Sequence, residues 1–508
     1  RKSSVVLALA APCTCERLTI RSDWGLYAFV RKSIQNLPMT HRSTSTTRRV
    51  SSQSALDSWP VEKRSPCKFG RSSSNVSQPN DLSMPDRLRT RETNMPTLRF
   101  LLAFFLTCAS WNLLADARPL AAQNASSLPP DAMKSQMDQA WAVSSYEPGQ
   151  ELAHLPTAEE VQRQYPNPCG YSTGMEDGMI LGGAMLSILA DRYEVTNEEP
   201  LREKAKQVFR GLHRCATVHG VPGFLARNVC NEDRKSIYIN SSRDQYTHGV
   251  HGLWKYYRSP LSDKSTRSEI RAVLAAVADR MIEFVTPEND FDFCRADGKR
   301  CPLGICRMWN VQAHEAARLP MIYAAAWDVT QDEKYRQLWR HYVADAVKHS
   351  ANPDKNTPAY AILQMQCSLE LLHELETDPK LKTSIQAVMR HLASIAEERS
   401  AHVAVQLSRK TSEEMRMLGP DWRQAEQWIN QNEYANPQWG KYREVWHLTR
   451  EAGEAALVPQ MVDAPTLNTE QKQRLQHLIQ NFDYSHNSSC GIIYHQAAYW
   501  KSRLTDNL

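Results

Sequence analysis

The chain has 508 residues, more than the ~100 to 200 of one ordinary domain, so it holds either several domains or one large repeat-built one. Apolar residues make up 42% and charged residues 23%, values of a globular chain with a sizeable core, which excludes wholesale disorder. The net charge of +5 sits at the start: residues 1–94 carry 16 Lys/Arg against 7 Asp/Glu, which leaves −4 for residues 95–508 and argues against a nucleic-acid partner.

Residues 1–94 begin with Arg and run through Ser/Thr/Arg-rich stretches such as 43–52 and 72–77, with no sustained helical or strand period. They read as a non-globular basic leader or an overcalled extension. Met95-Pro-Thr-Leu-Arg then leads into an apolar run, Phe100 to Leu106, and a small-residue site, Ala115-Asp116-Ala117. A basic start, a short apolar centre and an A-x-A end predict a secretory signal peptide over 95–117, too short to span a bilayer. A secreted or periplasmic protein with no integral membrane segment after processing is therefore expected. Residues 118–150 read as a linker with a first helix, Ala132 to Val143.

Eight cysteines follow the cleavage site: Cys169, Cys215, Cys230, Cys294, Cys301, Cys306, Cys367 and Cys490. An even number in an exported chain predicts disulfides, with 105 connectivities open. Cys294, Cys301 and Cys306, with His314 beyond, lack the paired C-x-x-C of a structural zinc site, so a disulfide-braced loop is preferred to a metal cluster. Asn289-Asp290-Phe291-Asp292 lacks the spacing of the twelve-residue calcium loop and reads as a polar turn.

From about residue 177 the apolar period is helical and comes in pairs. Ile180 to Leu189 pairs with Val208 to Cys215, His248 to Tyr257 with Ile270 to Phe284, and Ala316 to Val329 with Tyr335 to Val347. Ala359 to Leu375 pairs with Ile385 to Ile395, Val445 to Leu457 with Leu475 to Phe482, and the two ends supply a sixth pair, Ala132 to Val143 with Ile492 to Leu504. The first helix of a pair is rich in Gly, Ala and bulky apolar residues and the second carries charge on one side, which predicts inner and outer helices. Uneven spacing of the pairs favours a closed ring over a uniform solenoid. The expected fold is thus all-α, an (α/α)6 toroid of helical hairpins over 151–508. A helical insertion of about residues 400–440, holding Trp422, Trp428 and Trp439, would form a lid or wall.

Two segments carry a family resemblance. Met175-Glu176-Asp177-Gly178 opens one inner helix, and Ser241-Ser242-Arg243-Asp244-Gln245, followed by Gly249, Gly252, Leu253 and Tyr256, opens the next. Over about residues 150–505 the chain resembles the six-hairpin glycosidase class, nearest to its unsaturated-glucuronyl-hydrolase-like branch. That branch commonly has S-R-G-Q-A-W at the second position, where this chain has Asp244 for the Gly and Tyr246-Thr247 for Ala-Trp. The resemblance implies a pair of key aspartates at successive inner-helix starts, here Asp244 as general acid/base and Asp177 as its partner.

The chemistry asks for the same types of group. Helix starts converging on one face favour acidic side chains, and glycoside hydrolysis needs one carboxylic acid and one carboxylate. An aspartate at a helix start is otherwise an ordinary N-cap worth ~1 kcal/mol. Around the pair, Glu176, Arg243, His248, Arg227, His314, Trp309, Trp439 and Tyr442 are expected to bind substrate. For Arg243 a structural ion pair is the preferred reading, and for His248 a satisfied core histidine. No phosphate loop, nucleophile elbow or H-E-x-x-H motif occurs, and neither cofactor nor metal is expected. The expected partner is an acidic or unsaturated oligosaccharide or polysaccharide. A polysaccharide lyase, with Tyr246, His248 or His314 as base, and a non-catalytic glycan-binding toroid are the rival readings.

Overall fold

The computed structural model describes residues 130–144, 177–229, 234–235, 237–301, 304–416, 439–485 and 491–508, all within one compact unit, residues 126–508. The expected leader and signal peptide, Glu176, Trp422, Trp428, Cys169, Cys230 and Cys490 lie outside the described residues.

Among the described residues the chain is all-helical, with no strand and one isolated bridge between Asp292 and Arg307. The helices are α1 (Pro130–Ser144), α2 (Gly178–Thr196), α3 (Leu201–Thr217), α4 (Arg243–Arg258), α5 (Lys264–Phe284), α6 (Arg318–Thr330) and α7 (Glu333–Ser350). They continue with α8 (Ala359–Leu375), α9 (Pro379–Ser408), the short α10 (Ser412–Arg416), α11 (Trp439–Leu457), α12 (Thr469–Asn481) and α13 (Ile492–Leu504). None is long and apolar enough to cross a membrane.

Two kinds of helix alternate. In α2 nearly every residue from Gly178 to Tyr193 is buried, and α6, α8 and α13 are likewise covered on all sides. By contrast α3 buries Leu201, Ala205, Val208, Phe209 and Leu212 and turns its charged residues outward. The amphipathic helices start on ordinary caps: Asp263 accepts from the Thr266 N–H, Asp332 from Lys334, and Asp378 from Lys380 and Leu381.

The buried helices touch in succession, α2 on α4, α4 on α6, α6 on α8, α8 on α11, α11 on α13, and α13 back on α2. Against them pack α3 on α2, α5 on α4 and α6, α7 on α6, α9 on α8 and α11, and both α1 and α12 on α13. Two details depart from the sequence reading. The segment Leu475 to Phe482, expected to pair with α11, lies mostly in α12, which packs on α13, α1 and α9. The place against α11 is taken by α9, because residues 400–408, expected in a lid, continue that helix. Its Val403 closes a small apolar cluster with Leu448 and Ala452 of α11.

The α2–α4 contact is made by glycine. A Cβ built on Gly183 would lie 2.0 Å from the His248 carbonyl oxygen, and one on Gly252 would lie 2.2 Å from the carbonyl oxygen of Gly183. Mid-helix glycine ordinarily weakens a helix by ~1 kcal/mol relative to alanine. Here the missing side chain lets two backbones meet. We expect Gly183→Ala to lower unfolding stability by about 2–3 kcal/mol despite the gain in helix propensity. An unchanged midpoint in urea titration would mean that the two helices part freely.

Candidate active site

The start of α2 frees an aspartate from its usual task. Asp177 occupies the N-cap position but makes no side-chain capping bond. Gln245, reaching across from α4, accepts from the Ile180 N–H at 3.2 Å, and the Arg227 carbonyl accepts from Met179 at 3.3 Å. The helix end is therefore satisfied by its neighbours. The Asp177 carboxylate instead accepts from Gln245 Nε2 at 2.9 Å and from Arg227 Nη2 at 3.2 Å.

Asp244 sits in the first turn of α4, behind the N-cap Ser242, which likewise forms no side-chain cap. Its carboxylate, about a third exposed (33%), accepts from Arg318 Nη1 at 2.6 Å. The other Nη of Arg318 donates to Gln364 of α8 at 2.5 Å, so Asp244 is tied to α6 and α8. Burial raises the Asp244 carboxyl, but Arg318, Arg243 and Arg227 outweigh it and hold the group down at about 2. Arg227 thus acts on both aspartates, bonding one and biasing the other.

The remaining expected residues divide. Arg227 is buried and also donates to Ser242 Oγ at 3.3 Å. Arg243 pairs with Glu315 and donates to the Gly304 carbonyl at 2.9 Å, which is the structural ion pair. Glu315 also closes a capping box with Gln312. His314 lies 3.7 Å from Glu315, and burial brings its imidazole down to about 4. His248 is buried one turn below Asp244, and burial followed by His251 and Arg450 lowers it to about 3. It lines a cavity of ≈ 30 Å³, room for a water or two, with Cys367 and Tyr494 beside it. Trp309 is half-buried and packs edge-on against Tyr342 of α7 at 4.7 Å. Trp439 and Tyr442 lie in the first turn of α11, with side chains outside the described set.

Among the described residues no two cysteines stand at bond distance, and Cys294, Cys306 and Cys367 carry free thiols. The loop between α5 and α6 is held by other means. Asp292 accepts from the N–H groups of Cys294 at 2.7 Å and Cys301 at 3.3 Å, while the Cys306 thiol points at the Ser241 carbonyl at 3.3 Å. Among the described residues no three His, Cys, Asp or Glu side chains converge as a metal site.

Sequence reading missed two of the arginines, Arg318 and Arg450, and their partners. Arg318 is fully buried at the start of a helix that is apolar from Leu319 to Trp327. On α11, Arg450 donates from Nε to Glu454 at 2.7 Å and its Nη1 lies 3.8 Å from Asp177 Oδ2. The rings of Tyr360, Trp446 and Tyr494 surround its guanidinium at 5.5 to 6.0 Å. Glu454 is buried, and desolvation, only partly offset by Arg450, lifts its carboxyl to about 7. The signal was available: an Arg and a Glu one turn apart within the small-residue run Ala452-Gly453 and Ala455-Ala456.

No protein-family model and no curated protein matches the chain.

The Glu454 carboxyl gives a pH prediction. Its folded value, about 7, lies above the ordinary 4.5, so the folded state holds the proton more tightly and the residue stabilises least when ionised. Relative to Glu454→Gln, the wild-type chain should lose about 3 kcal/mol as pH rises from 4.5 through 7. Paired urea melts over that range read this out. A gap independent of pH would place Glu454 at an ordinary carboxyl value.

Proposed function

We propose that this is an exported glycoside hydrolase on an (α/α)6 toroid, acting on an acidic or unsaturated oligosaccharide. The toroid is supported by the succession of contacts from α2 round to α13 and back to α2, with the amphipathic helices packed against it. Its members α2, α4, α6, α8 and α11 are the first helices of the pairs read from the sequence and α1 packs on α13 as the sixth pair expects, while α12 leaves α11 for α13, α1 and α9.

The observation that carries the enzymatic reading is the contrast between aspartates. Those opening α5, α7 and α9 cap their helices, whereas Asp177, at the same position of α2, does not, and Asp244 lies within the first turn of α4 with its carboxylate on Arg318. Arg227 bonds the Asp177 carboxylate and Arg318 that of Asp244, and the charge of Arg227 also lowers Asp244. A carboxylate excused from capping yet kept among polar groups suits acid/base work.

In this reading Asp244, ionised near neutrality, takes the proton of an attacking water and passes it to the departing glycosidic oxygen as the bond from that oxygen to the anomeric carbon breaks. Asp177 is its partner carboxyl. Gln245 and Arg227 fix the orientation of Asp177, and Arg318 that of Asp244. A lyase is less well supported. The Tyr246 hydroxyl is buried, donates to the Gly223 carbonyl at 3.1 Å and accepts from Leu225, and its burial pushes ionisation well above the usual phenol range.

Asp177→Asn and Asp244→Asn, made separately, should each reduce turnover by about 10²- to 10⁴-fold while circular dichroism shows a folded chain. The assay is a panel of polyuronate oligosaccharides followed by ultraviolet absorbance and new reducing ends. Loss of absorbance marks hydrolysis of an unsaturated sugar, and its growth marks a lyase. Full activity in both variants removes the pair from the mechanism.

A further inference from the structure

We propose that Cys301 and Cys306, in the loop between α5 and α6, are a redox pair that a small-molecule disulfide such as oxidised glutathione converts to an internal disulfide. Three thiols are buried in this loop, Cys294, Cys301 and Cys306, and two of them converge. The Cys306 thiol points at the Ser241 carbonyl at 3.3 Å, and the Cys301 thiol at the side-chain oxygen of the preceding residue, Asn240, at 3.9 Å. Between them the chain turns back, with the Gly304 N–H donating to the Cys301 carbonyl at 3.2 Å. Burial raises the Cys306 thiol well above its usual value, and the adjoining Cys301 side chain raises it further. Cys294 is turned elsewhere: its backbone takes a φ of 64°, and its thiol donates to the Asp292 carbonyl at 3.6 Å. A disulfide requires side chains that face each other, which selects 301 with 306.

The exchange is balanced. Cys301, 5% exposed against 0% for Cys306, is the sulfur that a reagent meets first. Its thiolate attacks one sulfur of the reagent and releases the other half as a thiolate, which takes up the proton. Cys306 then gives up its own proton, and its sulfur displaces the second half from Cys301. Two electrons and two protons thus pass from the cysteines to the reagent, which departs as two thiols.

The bridge would fasten a loop that holds the start of α4. The Ile305 carbonyl accepts from the Arg243 N–H at 3.0 Å and the Gly304 carbonyl from Arg243 Nη1 at 2.9 Å, both carried on the chain between the two sulfurs. Beside them the Phe293 N–H donates to the Cys306 carbonyl at 3.0 Å, and the Ala296 N–H to the Ile239 carbonyl at 2.9 Å. Closing this short loop removes freedom from the unfolded chain and also fixes the two carbonyls that Arg243 grips.

Trypsin separates the candidate pairings, because residues 301–307 form one peptide between Arg300 and Arg307 while Cys294 lies in residues 281–295. The full chain is reduced, equilibrated natively with oxidised and reduced glutathione, alkylated in denaturant and digested. The peptide 301–307 should escape alkylation and weigh about 2 Da less than its dithiol form, with Cys294 alkylated. Oxidation should raise the melting temperature by about 2–5 °C, a shift kept in Cys294→Ser and lost in Cys301→Ser. A peptide 301–307 that is alkylated at both cysteines overturns the inference, as does one joined to 281–295. The wild-type digest decides the matter should the Cys301→Ser variant not fold.

Discussion

The arrangement depends on how closely α2 and α4 approach each other. Two helices carrying ordinary side chains stand 8–10 Å apart, and at that spacing Gln245 could not reach the first turn of its neighbour. Gly183 and Gly252 remove the obstacle, letting one helix backbone touch the other. Register follows from that contact. It sets the start of α4 beside the start of α2, so that Gln245 both satisfies an orphan N–H of α2 and holds the Asp177 carboxylate. A second glycine-lined contact, through Gly453 and Gly491, sets α11 against α13 and brings Arg450 to the same level.

How much of this was legible in the sequence follows from what each signal encodes. Periodicity reports burial, and the buried helices α2, α6 and α8 fall where apolar runs predict them. It does not report which helix lies against which, so the choice between α9 and α12 as neighbour of α11 was decided by a long-range contact, Val403 with Leu448 and Ala452. The caps of α5, α7 and α9 are local and readable. That Asp177 is not a working cap is invisible locally, because its replacement comes from Gln245, 68 residues away. Cysteine parity carries no geometry: Cys169, Cys230 and Cys490 lie outside the described residues, and the thiols of Cys294 and Cys306 face backbone carbonyls.

Charged residues inside apolar helices were the underused clue. Burying an ion without a partner is expensive enough that such a residue implies a partner elsewhere in the chain. Arg318, Arg450 and Glu454 each announce one. So do Asp191, Lys255, Glu370 and Lys501, placed deep in α2, α4, α8 and α13 around the cavity below His248. Lys255 meets Asp191 at 2.8 Å, Lys501 meets Glu370 at 3.0 Å and Asp191 at 3.8 Å, and His251 meets Glu370 at 2.8 Å. Burial pushes the Glu370 carboxyl up, yet Lys501, Lys255 and His251 prevail and hold it well below the usual range.

That lower network restricts how the chain can change over generations. Replacing one member strands its partner as an uncompensated interior charge, at roughly 3–5 kcal/mol, whereas exchanging a whole set for well-packed apolar residues is nearly neutral. Positions as distant along the polypeptide as 191 and 501 are therefore bound to a common history. They can drift only in concert, and among descendants of one ancestor an alteration at either should be accompanied by one at the other.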